Sequence, residues 1–243
     1  MGNARANPLD RRGRLAHARL HLIFTPAAVT EGRDPLEVLE QALPYVDVVQ
    51  VRVKELGNPT ATSPARETER WTRDVLGLVG EADSSALVIV NDRVDVAVAL
   101  LAEASKGSTV GIDGVHVGQD DLPPAEVRKQ IGPEALIGLS THDARDLARA
   151  ADEPVDYLGF GPVWATQTKG YEHSKGPEAA WIASTTAAPR PVFPIGGIDT
   201  TNVSELALLG RAAVSTAILA AKDPASAARE LRQCLRDGQA DHL

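Results

Sequence analysis

The sequence predicts a single (β/α)8 TIM barrel of the α/β class, with a short N-terminal helix. Three observations lead there. Eight short apolar runs rich in β-branched residues recur along the chain, and a segment with helical spacing accompanies each. Runs apolar on both faces, alternating with helices, suggest parallel strands joined by right-handed crossovers. The length of 243 residues is one at which such barrels stay undivided. An open doubly wound sheet is the structural alternative, but no G-x-G-x-x-G follows the first strand, and the glycines suited to phosphate come late in the chain.

The opening MGNARANPLDRRGRLAHARL has many arginines and no apolar core, so it does not predict a secretory signal. Residues 1–10 are expected to be a flexible arm and 11–243 the barrel, with a short helix from about Arg11 to Ala18 lying against one end. Those arginines read as a solvated surface rather than a polyanion site. LHLIF (20–24) is the first strand and DPLEVLEQAL its helix; VDVVQV (46–51) is the second, with ARETERWTRDVLGLVGEA. ALVIV (86–90) precedes DRVDVAVALLAEA, GVHV (114–117) precedes PAEVRKQI, and LIGLS (136–140) precedes DARDLARAA. YLGFG (157–161), VFPIG (192–196) and AAVS (212–215) are followed by PEAAWIAS, TNVSELALLG and PASAARELRQCLRD. Two connections are long: KELGNPTATSPA after the second strand is placed to act as a loop over a site, and EASKGSTVGID falls on the opposite side of the barrel.

Composition narrows the function classes. A hydrophobic fraction of 43% and a charged fraction of 24% are those of an ordinary globular chain, and no run reaches transmembrane length. The net charge of −8 argues against a basic nucleic-acid-binding surface. The single cysteine, Cys234, permits no internal disulfide and no cysteine metal cluster, and fits a reducing cytoplasm. Homo-oligomerisation is left open.

In a barrel, polar residues just past the strand C-termini meet at one mouth. Strand two delivers Gln50, Arg52 and Lys54, alternate residues on one face, with Val51 and Val53 on the other. Strand three delivers Asn91 and Asp92, and strand four is followed by Asp120 and Asp121. Asp92 and one of these two, from neighbouring strands, make an oxygen pair suited to Mg2+; the alternative is that they cap the helices that follow. The nearby Arg52 and Lys54 favour a cradle for diphosphate.

Strand five offers Ser140, Thr141 and His142, and here the histidine reads as a hydrogen-bonded structural residue, as does His116 within strand four. The loop after strand six carries Thr166, Thr168 and Lys169. Gly196 and Gly197 after strand seven, with the end of strand eight, suggest a cup for a monophosphate.

The ordered set VQVRVK, VNDRVDVAVAL, DGVHVGQDDLP, IGLSTHD, YLGFGPVWATQTK, PIGGI and AVSTAI resembles the thiamine phosphate synthase family over nearly the whole chain. The resemblance implies a transferase that joins hydroxymethylpyrimidine diphosphate to hydroxyethylthiazole phosphate with release of pyrophosphate. It implies that Gln50, Arg52, Lys54 and Asn91 bind the pyrimidine diphosphate with Ser140 and Lys169 beside it, and that Asp92 and Asp121 hold Mg2+. Arg52, Lys54, Lys169 and Ser140 are the catalytic candidates. Thr166, Thr168, Gly196, Gly197, Val214 and Ser215 match the thiazole phosphate site. Two departures stand out: Val53 lies where the family often has an acid, and His21 where its first strand more often has an aromatic. The alternatives are an isomerase of the thiazole tautomerase kind, which does not need the diphosphate cradle, and a non-catalytic binder of thiazole phosphate.

Overall fold

The computed structural model describes residues 10–53, 63–104, 111–165 and 174–240. Eight parallel strands run in the order β7-β6-β5-β4-β3-β2-β1-β8. They are β1 Leu20–Phe24, β2 Val48–Val51, β3 Leu87–Asn91, β4 Gly114–Val117, β5 Leu136–Thr141, β6 Tyr157–Phe160, β7 Val192–Pro194 and β8 Ala212–Val214. An isolated parallel bridge between Ile195 and Ala213 joins the two ends of that order. The sheet is therefore a closed barrel and not an open doubly wound one.

The helices are α1 Arg11–His17, α2 Pro35–Ala42, α3 Pro64–Glu81, α4 Val94–Ala104, α5 Pro124–Ile131, α6 Ala144–Ala150, α7 Pro177–Thr186, α8 Thr216–Leu219 and α9 Pro224–Ala240. Their starts follow local chemistry. Asp34 and Ser63 accept amide hydrogen bonds at the heads of α2 and α3, each with proline in the first turn, and Asp143 accepts from Arg145 and Asp146 at α6. TNVSELALLG departs from the expected helix. It forms only the 3-10 turn Val203–Leu206, because Asp199 and Asn202 draw the preceding backbone into a side-chain-bonded turn, through Thr201 N to Asp199 and Asp199 N to Asn202.

Strand alternation separates two cores. Leu20, Leu22, Phe24, Val49, Val51, Val88 and Val90 pack outward against the helices. Ile23, Val48, Leu87, Ile89, Leu136, Tyr157, Phe193 and Ala213 fill the barrel, where Leu15 and Ala18 join them from α1 and its end. The α1 helix lies against one end of the barrel, and its arginines are paired, with Arg12 half exposed. Arg11 and Arg14 pair with Asp113 at 3.2 and 2.6 Å, and Arg12 pairs with Asp156 at 2.7 Å. Asp113 and Asp156 also accept the amide hydrogens of Val88 and Ile137, so each ties α1 to the bottom of the sheet. The helix is thereby a plug for that end of the barrel.

The tight closure has a testable cost. A Cβ on Gly114 lies 2.0 Å from the Leu136 carbonyl oxygen of the adjacent strand, where neither backbone can yield. Gly114→Ala is expected to lose about 1–3 kcal/mol, the usual range for overpacking. A urea titration checks it: the midpoint falls with an unchanged slope, and an unchanged midpoint refutes the contact.

Candidate functional site

A cavity of about 540 Å³ opens at the C-terminal ends of the strands. Gln50, Arg52, Asn91, Ser140, Gly196, Gly197, Val214 and Ser215, all expected at the site, line it. Barrel register brings them together: Gln50 is level with Ile23 and Ile89, and Asn91 is level with His116.

The inner wall is a set of hydrogen-bonded side chains. Gln50 donates from Nε2 to Asn91 Oδ1 at 2.5 Å, fixing both between β2 and β3. His116, inward from β4, shares hydrogen bonds with Ser140 Oγ through Nε2 (2.9 Å) and with Tyr157 Oη through Nδ1 (3.1 Å). The run Tyr157–His116–Ser140 therefore orients the Ser140 hydroxyl, and burial raises the Tyr157 phenol so that it stays protonated. Gly138 makes room for it, since a Cβ there lies 2.2 Å from Tyr157 Cζ and 2.3 Å from His116 Nδ1. His142 faces Asp146 at 3.0 Å, as a structural histidine does.

At the rim, Arg52 is half-buried. Burial lowers its pKa, and the negative charge of Asp92 opposes that shift, so the guanidinium remains a cation beside a carboxylate. Asp92 is exposed and follows β3 with φ 61°, in the left-handed region that aspartate tolerates better than most residues. Asp121 is exposed too, and its Oδ2 accepts the Gly118 amide at 2.6 Å. It does not cap α5, whose N-cap is Pro123 with no side-chain cap bond. Both carboxylates lie just past the C-terminal ends of their strands, Asp92 after β3 and Asp121 after β4. Among the described residues no group of three or more histidines, cysteines or acids gathers at one point. Two carboxylates and no nitrogen or sulfur form a donor set that fits Mg2+, which typically takes its other ligands from water and phosphate oxygens.

The β7–β8 side is built from backbone. Gly196 and Gly197 have φ of 101° and 63°. A Cβ on either lies 2.7 Å from the chain after β6: Pro162 for Gly196, and Trp164 and the Ala165 carbonyl for Gly197. Glycine is required twice over, for conformation and for approach. Ser215 donates its hydroxyl to the Ile23 carbonyl at 2.9 Å, which leaves its oxygen lone pairs rather than its proton for a ligand. Val214 turns its side chain into the outer core, so only its backbone faces the cavity. Lys54, Thr166, Thr168 and Lys169 lie outside the described residues, as do the N-terminal arm before Asp10 and most of the two long connections.

Comparison with known proteins bears on this geometry. The family model described as thiamine monophosphate synthase matches residues 20–218. The chain belongs to that family. The thiamine-phosphate synthase of Mycobacterium sp. (strain KMS) is 39% identical over 234 residues, covering 94% of this chain and 97% of the relative. That of Gloeobacter violaceus is 41% identical over 221 residues, 88% of this chain. This chain spans 57% of the length of the Gloeobacter relative and 59% of a relative from Synechococcus. A solved thiamine phosphate pyrophosphorylase from Pyrococcus furiosus aligns with a TM-score of 0.71 at 29% identity, covering 93% of this chain and 98% of that one. Of the two departures from the thiamine monophosphate synthase pattern, Val53 packs against the outer core and touches no cavity surface. His21 does the opposite and faces the cavity floor.

Proposed function

We propose that this chain is a thiamine phosphate synthase, joining hydroxymethylpyrimidine diphosphate to hydroxyethylthiazole phosphate and releasing pyrophosphate. The observation that carries this reading is one cavity lined by cationic Arg52 on its β2 side, with the charge of Asp92 after β3 felt at that guanidinium, and by the Gly196–Gly197 turn on its β7–β8 side. One side receives a diphosphate and the other a monophosphate, and the space between holds two rings. A tautomerase has no need of the first side.

The C–O bond between the pyrimidine methylene and the diphosphate breaks with its electron pair on the leaving oxygen. The aminopyrimidine spreads the resulting positive charge, and the thiazole nitrogen lone pair then closes the new C–N bond. No protein nucleophile is needed. Arg52 neutralises charge on the departing group, and the resemblance adds Lys54 and Lys169 to that task. Asp92 and Asp121 would hold Mg2+, which when bound supplies further charge neutralisation to a diphosphate. Ser140, oriented by His116, is placed to hold the diphosphate side of the substrate. Thr166 and Thr168, also by resemblance, complete the thiazole phosphate cup with Gly196 and Gly197, while Ser215, its proton given to Ile23, borders the cup without donating its hydroxyl to it. Holding the thiazole nitrogen against the cation supplies much of the rate.

No described helix is long and apolar enough to cross a membrane. A cytoplasmic setting belongs to the same proposal, in keeping with a chain whose one cysteine, Cys234, is a free thiol. The test is turnover: both substrates together yield thiamine phosphate and pyrophosphate in equal amounts. Binding of thiazole phosphate without any product would instead favour the non-catalytic binder.

A further inference from the structure

A second cavity, of about 480 Å³, opens at the end of the barrel opposite the mouth. It lies where β6, β7 and β8 begin: Asp156, Arg190 and Arg211 come just before those strands, and Arg12 and Ala16 reach it from α1. Three guanidinium groups border it against one carboxylate, in a chain whose net charge is −8. The carboxylate does not neutralise them. Asp156 Oδ1 accepts from Arg12 at 2.7 Å, and its Oδ2 accepts from Arg128 at 2.7 Å and from the Ile137 amide at 2.8 Å, so its charge is already divided between two arginines. Arg190 and Arg211 have no carboxylate partner among the described residues, and hold carbonyls instead. Arg190 donates to Ala150 and Ala151 at 2.7 and 2.6 Å, at the end of α6, and Arg211 donates to Ala16 near the end of α1. The negative end of a helix offsets about half a charge. Donor capacity is left over as well, since Arg211 Nε is buried with no hydrogen-bond partner. Burial, then the positive charge of Arg19, lowers the Arg211 pKa, as befits a guanidinium that lacks an anion.

We infer that this cavity is a second binding site, separate from the one at the mouth, for a small organic phosphate: a dianion that carries an apolar body. Two arginines without an acid between them match a doubly charged group, and a guanidinium is shaped to address phosphate oxygens. Ser184, from α7, adds a hydroxyl. The rest of the wall is apolar, from Leu15, Val155, Pro189, Pro191 and Leu209, and inorganic phosphate alone would leave that surface wet. A recess of this volume is the size of a small-molecule site. No aromatic side chain lines it among the described residues, so it offers nucleic-acid bases nothing to stack on. Leu15 belongs both to this wall and to the residues that fill the barrel, so an occupant rests directly on the plug.

The test is amide hydrogen exchange of the full chain, titrated with phenyl phosphate and separately with inorganic phosphate. Phenyl phosphate is expected to protect the peptides that carry α1 and the starts of β7 and β8, because ligand binding there ties these segments together. It should half-saturate that protection at a concentration about five- to tenfold below that of inorganic phosphate, since its ring covers the apolar wall. Arg190→Ala should raise the half-saturating concentration at least about tenfold, the loss of a charge-assisted contact, while exchange elsewhere in the barrel matches the parent. Protection confined to peptides at the mouth overturns the inference. So does protection that Arg190→Ala leaves unchanged, or that inorganic phosphate gives at the same concentration as phenyl phosphate. If Arg190→Ala does not fold, Arg12→Gln replaces a side chain that is about half exposed and should raise the half-saturating concentration at least about threefold. No change in Arg12→Gln overturns the inference equally.

Discussion

Asp92→Asn is expected to lower kcat by about 10² to 10³, or about 3–4 kcal/mol of transition-state stabilisation, while thermal unfolding stays within about 0.5 kcal/mol of the parent. The amide has the shape of the carboxylate but not its charge, so it is a poor partner for Mg2+. Asparagine also suits the backbone at this position, where φ is 61°. Alanine is the worse probe, since a left-handed conformation costs it about 1–2 kcal/mol and mixes strain with chemistry. The side chain is exposed, and its charge is felt by Arg52, so removing it leaves no apolar cavity behind. Steady-state pyrophosphate release measured against Mg2+ concentration decides the matter. The parent should lose turnover in a chelator, and Asp120→Asn, on the exposed neighbour of Asp121, should stay within about twofold of the parent. Full turnover of Asp92→Asn, or of the parent in chelator, removes the metal from the mechanism.

Strand identity was legible because the signal is physical and local. LHLIF and GVHV coincide with β1 and β4 residue for residue, since a strand buried on both faces is apolar at most positions and is bounded where turn and polar residues resume. The helix expected at TNVSELALLG was not, because its apolar spacing competes with side-chain bonds from Asp199 and Asn202 that periodicity does not register. The helix at α1 was legible, but the partners of its arginines were not, for a related reason. Their partners, Asp113 and Asp156, are about a hundred or more residues away, and only barrel closure sets them side by side.

The site divides along the same line. Residues at strand ends, such as Gln50, Arg52 and Asn91, were legible because alternation alone sends them to the mouth. Val214 was placed at the site by resemblance, and it lines the cavity although alternation turns its side chain into the outer core. His21, His116 and Tyr157 line the cavity without having been singled out as site residues. Part of their signal was present in the sequence: polar residues at inward positions of apolar strands, with glycines at 138 and 159 on the neighbouring strands that leave room for His116 and Tyr157. Reading it needs the register between strands, which one sequence does not contain.

Arg52→Ala is expected to lower kcat/KM for the pyrimidine diphosphate by about 10² to 10³ and leave the KM for thiazole phosphate within about twofold. The two effects separate because Arg52 extends β2, whereas the monophosphate cup belongs to β7 and β8. A half-buried guanidinium is a cation already partly stripped of water, as its lowered pKa reflects, so it meets a developing negative charge with little solvent left to displace. Its planar fork addresses two phosphate oxygens at once. Arg52→Lys keeps the charge but not the fork, and should recover about tenfold of the loss, no more. Folding should change little in either variant: the partner left behind, Asp92, is exposed and returns to water. The informative comparison is the ratio of the two substrates' kinetic constants. A variant that weakens both substrates alike places Arg52 in the scaffold rather than on the diphosphate, and the division of the cavity into two anion sites then fails with it.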